Sequence, residues 1–280
     1  MKRVWCVICL SLLLPSLIHA QTGAIEAMTH PSKEEAPPGT VNEEKKKNRL
    51  DLWTSYESLT DGYGNWKNLN LLYTRLGRDF TCFFQLGGFE RPEKNAILFA
   101  AGAYKDWHER LYTYSAVSSG TDSDYLPSFR IDHDFNIKLG PKQSTLWTLG
   151  ATFIDYYGNQ KSYILSSGLT QYIERFIFGY RLFRNTNDPG SVHSFSHSLS
   201  ATYGQEGFHW TNIVYSFGKQ AYLATNLLTP QEINQNSQNI TLGHRQWLGK
   251  DYGIFGDLSY FKLQDGYNKY GFAFGIFKEF

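Results

Sequence analysis

From Leu50 to the C-terminus, short segments rich in apolar and aromatic residues alternate with clusters of Gly, Asn, Asp and Pro. Within the segments, apolar and polar residues tend to occupy alternate positions, which is the period of a β-strand. The intervening clusters contain the residues that favour turns. The pattern predicts about fourteen strands, with twelve as the alternative. The predicted strands are 50–58, 66–76, 80–91, 96–107, 109–118, 128–139, 144–157, 162–173, 175–186, 193–204, 208–219, 236–247, 252–263 and 268–280.

The segment FRIDHDFNIKL, residues 129–139, shows the alternation most clearly. Its odd-numbered positions are apolar apart from His133. Its even-numbered positions are polar: Arg130, Asp132, Asp134, Asn136 and Lys138. Because successive side chains of a strand point to opposite faces, this strand has one apolar and one polar face. Both a soluble sandwich and a membrane barrel satisfy that pattern.

The lengths of the connections between the predicted strands distinguish a membrane barrel from a soluble sandwich. Even-numbered connections are short, such as HE at 108–109 and ER at 174–175. Odd-numbered ones tend to be longer and more polar, such as SGTDSDYLP at 119–127 and AYLATNLLTPQEINQ at 221–235. Short turns at one rim and longer loops at the other are typical of outer-membrane barrels, and an even strand count puts both termini at the short-turn rim. We therefore predict an all-β fold, a transmembrane antiparallel up-and-down β-barrel over residues 49–280.

Aromatic residues make up 16% of the chain and recur near the ends of the predicted strands. Amphipathic rings favour the membrane–water interface. The set therefore predicts aromatic belts at the two rims, although a buried anchor is an equally good interpretation of any single Trp. The set comprises Trp53, Trp66, Trp107, Trp147, Tyr156, Tyr157, Trp210, Trp247, Tyr252 and Tyr270.

The last predicted strand, GFAFGIFKEF at 271–280, is alternating and aromatic up to its final residue. Phe272, Phe274, Ile276 and Phe280 share one face, which we expect to contact lipid. We also expect this strand to pair with the first strand and so close the barrel. A terminal Phe on such a strand resembles the signal that the bacterial barrel-assembly machinery recognises, and that resemblance implies this machinery as a partner during biogenesis.

The N-terminal region has a different composition. Residues 1–20 combine a charged start, a short apolar run and a small residue before Gln21, which predicts a signal peptide cleaved after Ala20. Residues 21–48 are rich in Glu, Lys, Pro and small residues, which predicts a disordered periplasmic linker. Cleavage leaves Cys82 as the one cysteine, so no internal disulfide is expected.

Charge and motifs exclude several functions. The 27 basic and 26 acidic residues give a net charge of +1, which is not the balance of a nucleic-acid-binding protein. The sequence has no phosphate-binding glycine loop, zinc-ligand spacing or nucleophile elbow, so we expect no cofactor, no metal and no catalytic residues. His193 and His197 share one face while the neighbouring serines lie on the other, which does not form a His–Ser couple. We expect His133, on the apolar face, at the membrane interface.

The candidate functional residues are ionisable groups expected to face the lumen. Two interpretations are open: the groups set the charge selectivity of a pore or bind a polar glycan, or they neutralise one another as an internal salt-bridge network. The requirement that buried charges be paired favours the network. The candidates are Arg130, Asp132, Asp134, Lys138, Arg181, Arg245 and Asp257.

The stretch FRIDHDFNIKLGPKQSTLWTLGATFIDYYG, residues 129–158, resembles the YaiO-like family of outer-membrane β-barrel proteins. LTPQEINQNSQNITLGHRQWL at 228–248 and the strand that ends at Phe280 extend the resemblance, which covers roughly residues 50–280. It implies a monomeric barrel in the bacterial outer membrane. The family has no established reaction, so no catalytic residues are carried over.

We therefore expect a non-enzymatic protein in the outer-membrane lipid of a Gram-negative bacterium. It would be a narrow channel, or a scaffold associated with the envelope, with a polar solute or glycan as its partner. One alternative is a lipid-modifying or proteolytic barrel enzyme, which needs Ser, His and an acid at one rim. The other is a soluble secreted β-sandwich lectin. We expect the longest loop, 221–235, to constrict the mouth.

Overall fold

The computed structural model describes residues 48–219 and 236–280, apart from Arg78, Glu93, Asp122, Asp124, Asn159 and Asp265. The predicted signal peptide, all of the predicted linker except Asn48, and the loop 221–235 lie outside the described residues. In the described part of the chain, no helix is long and apolar enough to span a bilayer.

Fourteen antiparallel strands form one closed barrel, in which each strand pairs with its neighbours in sequence and β1 pairs with β14. The predicted fold is confirmed, and no strand boundary differs from its prediction by more than two residues. The strands are β1 (Asn48–Leu59), β2 (Asn65–Arg75), β3 (Phe80–Glu90), β4 (Ala96–His108), β5 (Leu111–Gly120), β6 (Pro127–Leu139), β7 (Thr145–Tyr156), β8 (Lys161–Ile173), β9 (Phe176–Asp188), β10 (Val192–Gln205), β11 (His209–Lys219), β12 (Asn236–Trp247), β13 (Tyr252–Leu263) and β14 (Asn268–Glu279).

The ring closes where the first strand, β1, meets the last strand, β14. The backbone N–H of Phe280 donates to the carbonyl of Asn48 at 2.9 Å, and the N–H of Asn48 donates to the carbonyl of Phe280 at 2.9 Å. The register then continues along both strands, for example with Leu52 opposite Ile276. The C-terminal residue is thus held in the sheet, as expected of a strand that closes a barrel.

One rim, called here the short-turn rim, carries both ends of the barrel and connections such as 109–110 and 174–175. The opposite long-loop rim carries the connection 220–235. Several other connections of that rim are shorter than the sequence predicted. NTNDPGSV, for example, lies mostly in β9 and β10, which leaves only 189–191 as a turn.

The two faces of each strand differ in size and exposure. Inward-facing positions are mostly buried and outward-facing apolar residues are mostly exposed, as alternation requires in a barrel. Outward residues include Phe272, Phe274, Ile276 and Phe280, which were predicted to face lipid.

The predicted aromatic belts need a correction. Trp107, Trp147, Tyr157, Tyr252 and Tyr270 are exposed to the outside. In contrast, Trp53, Trp66, Tyr156, Trp210 and Trp247 share the inward face, and all but the half-buried Tyr156 are fully buried. These rings pack inside the barrel because their positions have the parity of the inward polar residues, as Trp53 has with Asp51.

Candidate functional site in the barrel lumen

The inward faces of the described strands carry nearly balanced charge. All seven predicted candidates lie on this face, together with six ionisable residues that the sequence analysis missed although they share its parity. The basic members are Arg49, Arg130, Lys138, Arg181, Arg245 and Lys269. The acidic members are Asp51, Glu57, Asp106, Asp132, Asp134, Asp257 and Glu279.

An ion pair between β6 and β9 crosses the two strands that separate them. Arg181 Nη2 lies 2.7 Å from Asp134 Oδ1 and donates to Ser166 Oγ at 2.6 Å. The pair passes directly over Gly150 of β7, where a Cβ atom would collide with both the carboxylate and the guanidinium. Glycine at this position therefore makes room for the pair.

A second pair lies within β6. Arg130 donates through Nε and Nη2 to the two carboxylate oxygens of Asp132, each at 2.7 Å. Thr152 Oγ1 on β7 also donates to Asp132 Oδ1, at 2.6 Å. A bidentate pair with a further donor satisfies most of the hydrogen-bonding capacity of this carboxylate.

A third group joins β12 to β1. Arg245 Nη2 lies 2.8 Å from Asp51 Oδ1, while Arg49 Nε lies 3.2 Å from Asp51 Oδ2. The guanidinium of Arg245 also stacks 4.5 Å from the ring centroids of Phe255 and Phe277. One carboxylate and two aromatic rings thus surround this buried cation.

The remaining inward charges have similar surroundings. Lys269 Nζ lies 2.7 Å from Glu57 Oε1 and 5.1 Å from the Trp66 ring. Lys138 Nζ lies 5.5 Å from the Tyr112 ring. Asp257 lies beside Gly243, where a Cβ atom would meet its carboxylate. Five of the predicted residues therefore belong to ion pairs, which is the arrangement expected of a neutralising network.

Apolar side chains fill the half of the lumen next to the short-turn rim. Twelve strands, all except β6 and β10, contribute to this group, which we call the lumen cluster. Its buried members are each at most 9% exposed, so the described side chains leave no wide aqueous passage at this depth. The cluster consists of Trp53, Leu72, Phe83, Tyr104, Tyr112, Tyr114, Ala116, Leu146, Ile177, Trp210, Trp247, Phe255 and Phe277, with Tyr172 packed against it.

Small residues make this filling possible. A Cβ on Gly275 would collide with the Phe255 ring and the Trp53 side chain, and a Cβ on Gly102 would collide with the Phe83 ring. Large inward side chains of one strand therefore occupy the space above glycines of the next. Such alternation of large and small residues is how small barrels are filled.

At the long-loop rim, a cation holds several connections together. The guanidinium of Arg91, in the connection 91–95, lies 3.8 Å from the Trp66 ring and 3.7 Å from the Tyr125 ring. Burial lowers the pKa of Arg91 to about 10, which leaves it charged at neutral pH. Tyr125 Oη also donates to the carbonyl of Lys94 at 2.8 Å. This clamp joins the β3–β4 and β5–β6 connections to β2.

A strip of small polar residues lines the lumen between β9 and β12, and we call it the hydroxyl wall. It comprises Asn185, Ser194, Ser196, Ser198, Ser216 and Thr241, all buried. Among the described residues, Ser216 Oγ and Thr241 Oγ1 have no hydrogen-bond partner. This wall is polar but uncharged.

Five histidines of the described strands face outward: His133, His193, His197, His209 and His244. His133 lies in the middle of β6, so its predicted place at the interface is wrong. Its Nδ1 lies 2.8 Å from Ser115 Oγ on the paired strand, which satisfies the ring at that depth. His193 and His244 have equivalent partners, the hydroxyls of Thr186 and Thr211.

None of these His–hydroxyl contacts forms a triad with an acid. Asp132 and Asp134 flank His133 in sequence but point into the lumen, on the opposite side of the sheet. Within the described residues, no three His, Cys, Asp or Glu side chains are placed to hold a metal ion.

The sequence profile of the YaiO membrane beta barrel domain matches residues 47–223, which is more than half of the chain. The chain belongs to this family. The match runs from the start of β1 into the β11–β12 connection. No curated protein matches the chain.

Solved structures resemble the barrel. The CymD monoaromatic hydrocarbon channel is 10% identical with a TM-score of 0.56, over 84% of this chain and 89% of that one. A bacterial polysaccharide outer membrane secretin is 9% identical with a TM-score of 0.56, over 84% and 99%. The outer membrane protein Omp33 of Acinetobacter baumannii is 7% identical with a TM-score of 0.50, over 84% and 99%. At these identities the likeness establishes a fold, that of outer-membrane β-barrels.

Proposed function

We propose that this protein is a non-enzymatic barrel of the Gram-negative outer membrane that acts as a scaffold in the envelope and not as an open diffusion pore. The observation that carries the proposal is the lumen cluster, whose side chains from twelve strands pack against one another. A pore wide enough to pass hydrated solutes would leave such rings exposed to water. The barrel is instead closed by its own side chains at the short-turn half.

The charges of the lumen support the same conclusion. An ion-selective pore needs an excess of one sign along its path. Here six basic residues face seven acidic ones, and the pairs around Asp51, Asp132 and Asp134 are within 3.2 Å. These contacts hold strands together and leave little net field for a passing ion.

The outward histidines support a non-enzymatic role. A hydrolytic site needs a nucleophile, a base and an orienting group within hydrogen-bond reach, and it needs water. The Ser115–His133 pair lies at mid-strand on the lipid-facing side, and the nearest carboxylates in sequence point into the lumen. Hydrolysis of lipid or peptide at that depth has neither an acid nor a water supply.

Planar-bilayer recordings of the purified barrel test the closure. We expect the wild-type protein to give no regular conductance steps. A triple variant with Trp53, Trp210 and Trp247 replaced by Ala should give steps, because it empties the centre of the lumen cluster. The matched control replaces three outward residues, Phe84, Phe178 and Leu242, with Ala and should give no conductance steps. Regular conductance steps from the wild-type protein would contradict the proposal that it is a scaffold.

The location needs its own test. With its signal sequence, the chain produced in a Gram-negative host should be found in the outer-membrane fraction and lose residues 1–20. Unboiled samples should migrate differently from boiled ones in gels, as closed barrels resist detergent. Removal of Phe280 should reduce the folded fraction, because it removes the proposed assembly signal and the pairing with Asn48.

The hydroxyl wall favours a second candidate, a narrow gated channel for an uncharged polar solute such as a glycan. Buried hydroxyls without protein partners, at Ser216 and Thr241, are suited to water or to sugar hydroxyls. Liposome swelling in neutral oligosaccharides would test this candidate. Swelling that disappears when Ser198 and Ser216 are replaced by Val would favour the channel, whereas no swelling in any sugar would favour the scaffold.

A further inference from the structure

The outward face of the barrel carries few charges, and they are placed at its edges. In the described strands, every outward-facing charged residue except Arg184 lies within three residues of a strand end. Arg184 lies four residues from the end of β9, at Asp188. The edge residues are Lys67, Arg75, Glu90, Lys105, Asp155, Lys161, Asp188, Lys219, Lys262 and Lys278.

The surroundings of Arg184 are apolar. Its partners across the sheet are Leu165 on β8 and Phe195 on β10, which are 60% and 52% exposed to the outside. Leu182 precedes it on the same face of β9. Within the described chain, Arg184 makes no hydrogen bond or ion pair. An exposed, unpaired cation therefore stands in a surface that contacts hydrocarbon.

Lipid-facing arginine is unfavourable in the bilayer core and tolerable only where the side chain reaches the headgroups. Four residues of a tilted strand place Arg184 about 10 Å below the strand end. Its long side chain can extend from there to the headgroup boundary. At that boundary the anions available to it are phosphate groups, which the planar guanidinium binds in bidentate fashion.

Neighbouring polar residues lie above Arg184 on the same face. His193 on β10 lies opposite Thr186 and is exposed, with its Nδ1 3.0 Å from Thr186 Oγ1. Lys161 on β8 lies opposite Asp155 and Asp188, so these acids offset its charge. Arg184 is consequently the anchoring cation of the site, and His193 and Thr186 are the next polar groups toward the rim.

We propose that this surface of β8–β10 binds the phosphorylated headgroup of a lipid in the leaflet next to the long-loop rim. Arg184 would hold the phosphate, and Leu165 and Phe195 would contact the acyl chains. That leaflet would be the outer one, because the predicted periplasmic linker 21–48 precedes β1 at the short-turn rim and outer-membrane barrels have their short turns on the periplasmic side. The binding itself requires only the outward face, so it is independent of whether the lumen conducts.

Binding can be measured on the detergent-solubilised full barrel with lipid A as the probe. We expect the wild-type protein to bind phosphorylated lipid A about tenfold or more tightly than lipid A from which the phosphates have been removed, as charge-assisted hydrogen bonds imply. Arg184→Gln should abolish this preference. Arg184→Lys should retain part of it, because the charge remains and the bidentate geometry is lost.

Two controls make the result decisive. Lys262→Gln removes an outward cation close to the same rim, on β13, and should leave the preference unchanged. Arg184→Leu matches the apolar surface, so it should fold even if Arg184→Gln does not, and it should also lose the preference. Equal binding by wild type and Arg184→Leu, or an equal loss in Lys262→Gln, would overturn the proposal. Full competition by millimolar inorganic phosphate would also overturn it, by indicating a free-phosphate site.

Discussion

The inward and outward faces of the barrel are formed by the same strands but lie in different surroundings, the packed lumen and the lipid. Inward side chains interlock, with rings packed over Gly102 and Gly275 and an ion pair crossing Gly150. Outward apolar side chains are mostly exposed, and polar ones at depth have local partners, as His133 has in Ser115. The inner face therefore holds much of the side-chain packing of the barrel, whereas the outer face needs mainly compatibility with lipid. Substitutions on the two faces should consequently differ in cost.

The largest effect is expected where a buried charge loses its partner. Asp134→Ala leaves the guanidinium of Arg181 without its carboxylate inside the barrel and should cost about 3–5 kcal/mol of unfolding free energy. Equilibrium unfolding of the barrel in lipid vesicles, with guanidinium chloride as the denaturant, measures this cost. Asp155→Ala, an outward carboxylate near a strand end, is the matched control and should change stability little. Equal losses in the two variants would mean that the faces do not differ.

A smaller effect is expected from added volume. Gly150→Ala places a methyl group where Asp134 and Arg181 meet and should destabilise the barrel by about 1–3 kcal/mol. Gly88→Ala makes the same change on the outward face of β3, where a Cβ atom meets nothing within 4 Å. Thermal unfolding monitored by gel mobility would compare the two variants. A more stable Gly150→Ala would show that the lumen is looser than these contacts indicate.

On the outward face, the effect should come from lost polar pairing. Ser115→Ala removes the partner of His133 in the middle of β6 and should cost about 1–2 kcal/mol. His133→Leu should recover that loss in the Ser115→Ala background, because it removes the unpaired ring from the lipid-facing surface. A double-mutant cycle gives the coupling between the two residues, and zero coupling would exclude the hydrogen bond as a stabilising contact.

The smallest effect is expected at the long-loop rim. Arg91→Met keeps much of the side-chain volume between Trp66 and Tyr125 but removes the cation, and should cost about 1 kcal/mol. Lys67→Met is the comparison, since Lys67 is largely exposed and pairs with the equally exposed Glu90. Proteolysis of the connections 91–95 and 121–126 would report the loosening. Unchanged proteolysis in Arg91→Met would mean that the clamp does not order this rim.

The sequence predicted the barrel well because period and turn chemistry are local properties. Alternation placed Arg130, Asp132 and Asp134 on the lumen face without knowledge of their neighbours. It could not predict that Asp134 pairs with Arg181, 47 residues away on β9, because the strand tilt and register decide which inward side chains meet.

The assignment of aromatic residues failed for a different reason. Trp210 and Trp247 lie near strand ends and Trp53 lies in the middle of β1, yet all three were assigned to a membrane belt. Their parity with Asp51, Asn212 and Arg245 was the signal that they face inward. Predicting that these rings fill the lumen required that parity signal, because the position of a residue along a strand does not show which face it is on. What the lumen charges do beyond pairing stays a prediction.

The contact between Asn48 and Phe280 has a consequence for how the chain reaches its folded state. It joins residues 232 positions apart, so the sheet stays open until β14 has been made and placed beside β1. Until then β1 and β14 each present an unpaired edge, which is prone to pairing with other chains in water and cannot be left unsatisfied in lipid. Ring closure also carries the largest loop-entropy cost of any strand pairing in the molecule. The pairing of β1 with β14 is therefore expected to be the slow step of folding. A chain lacking only its last strand should behave as an aggregation-prone intermediate and not as a smaller barrel.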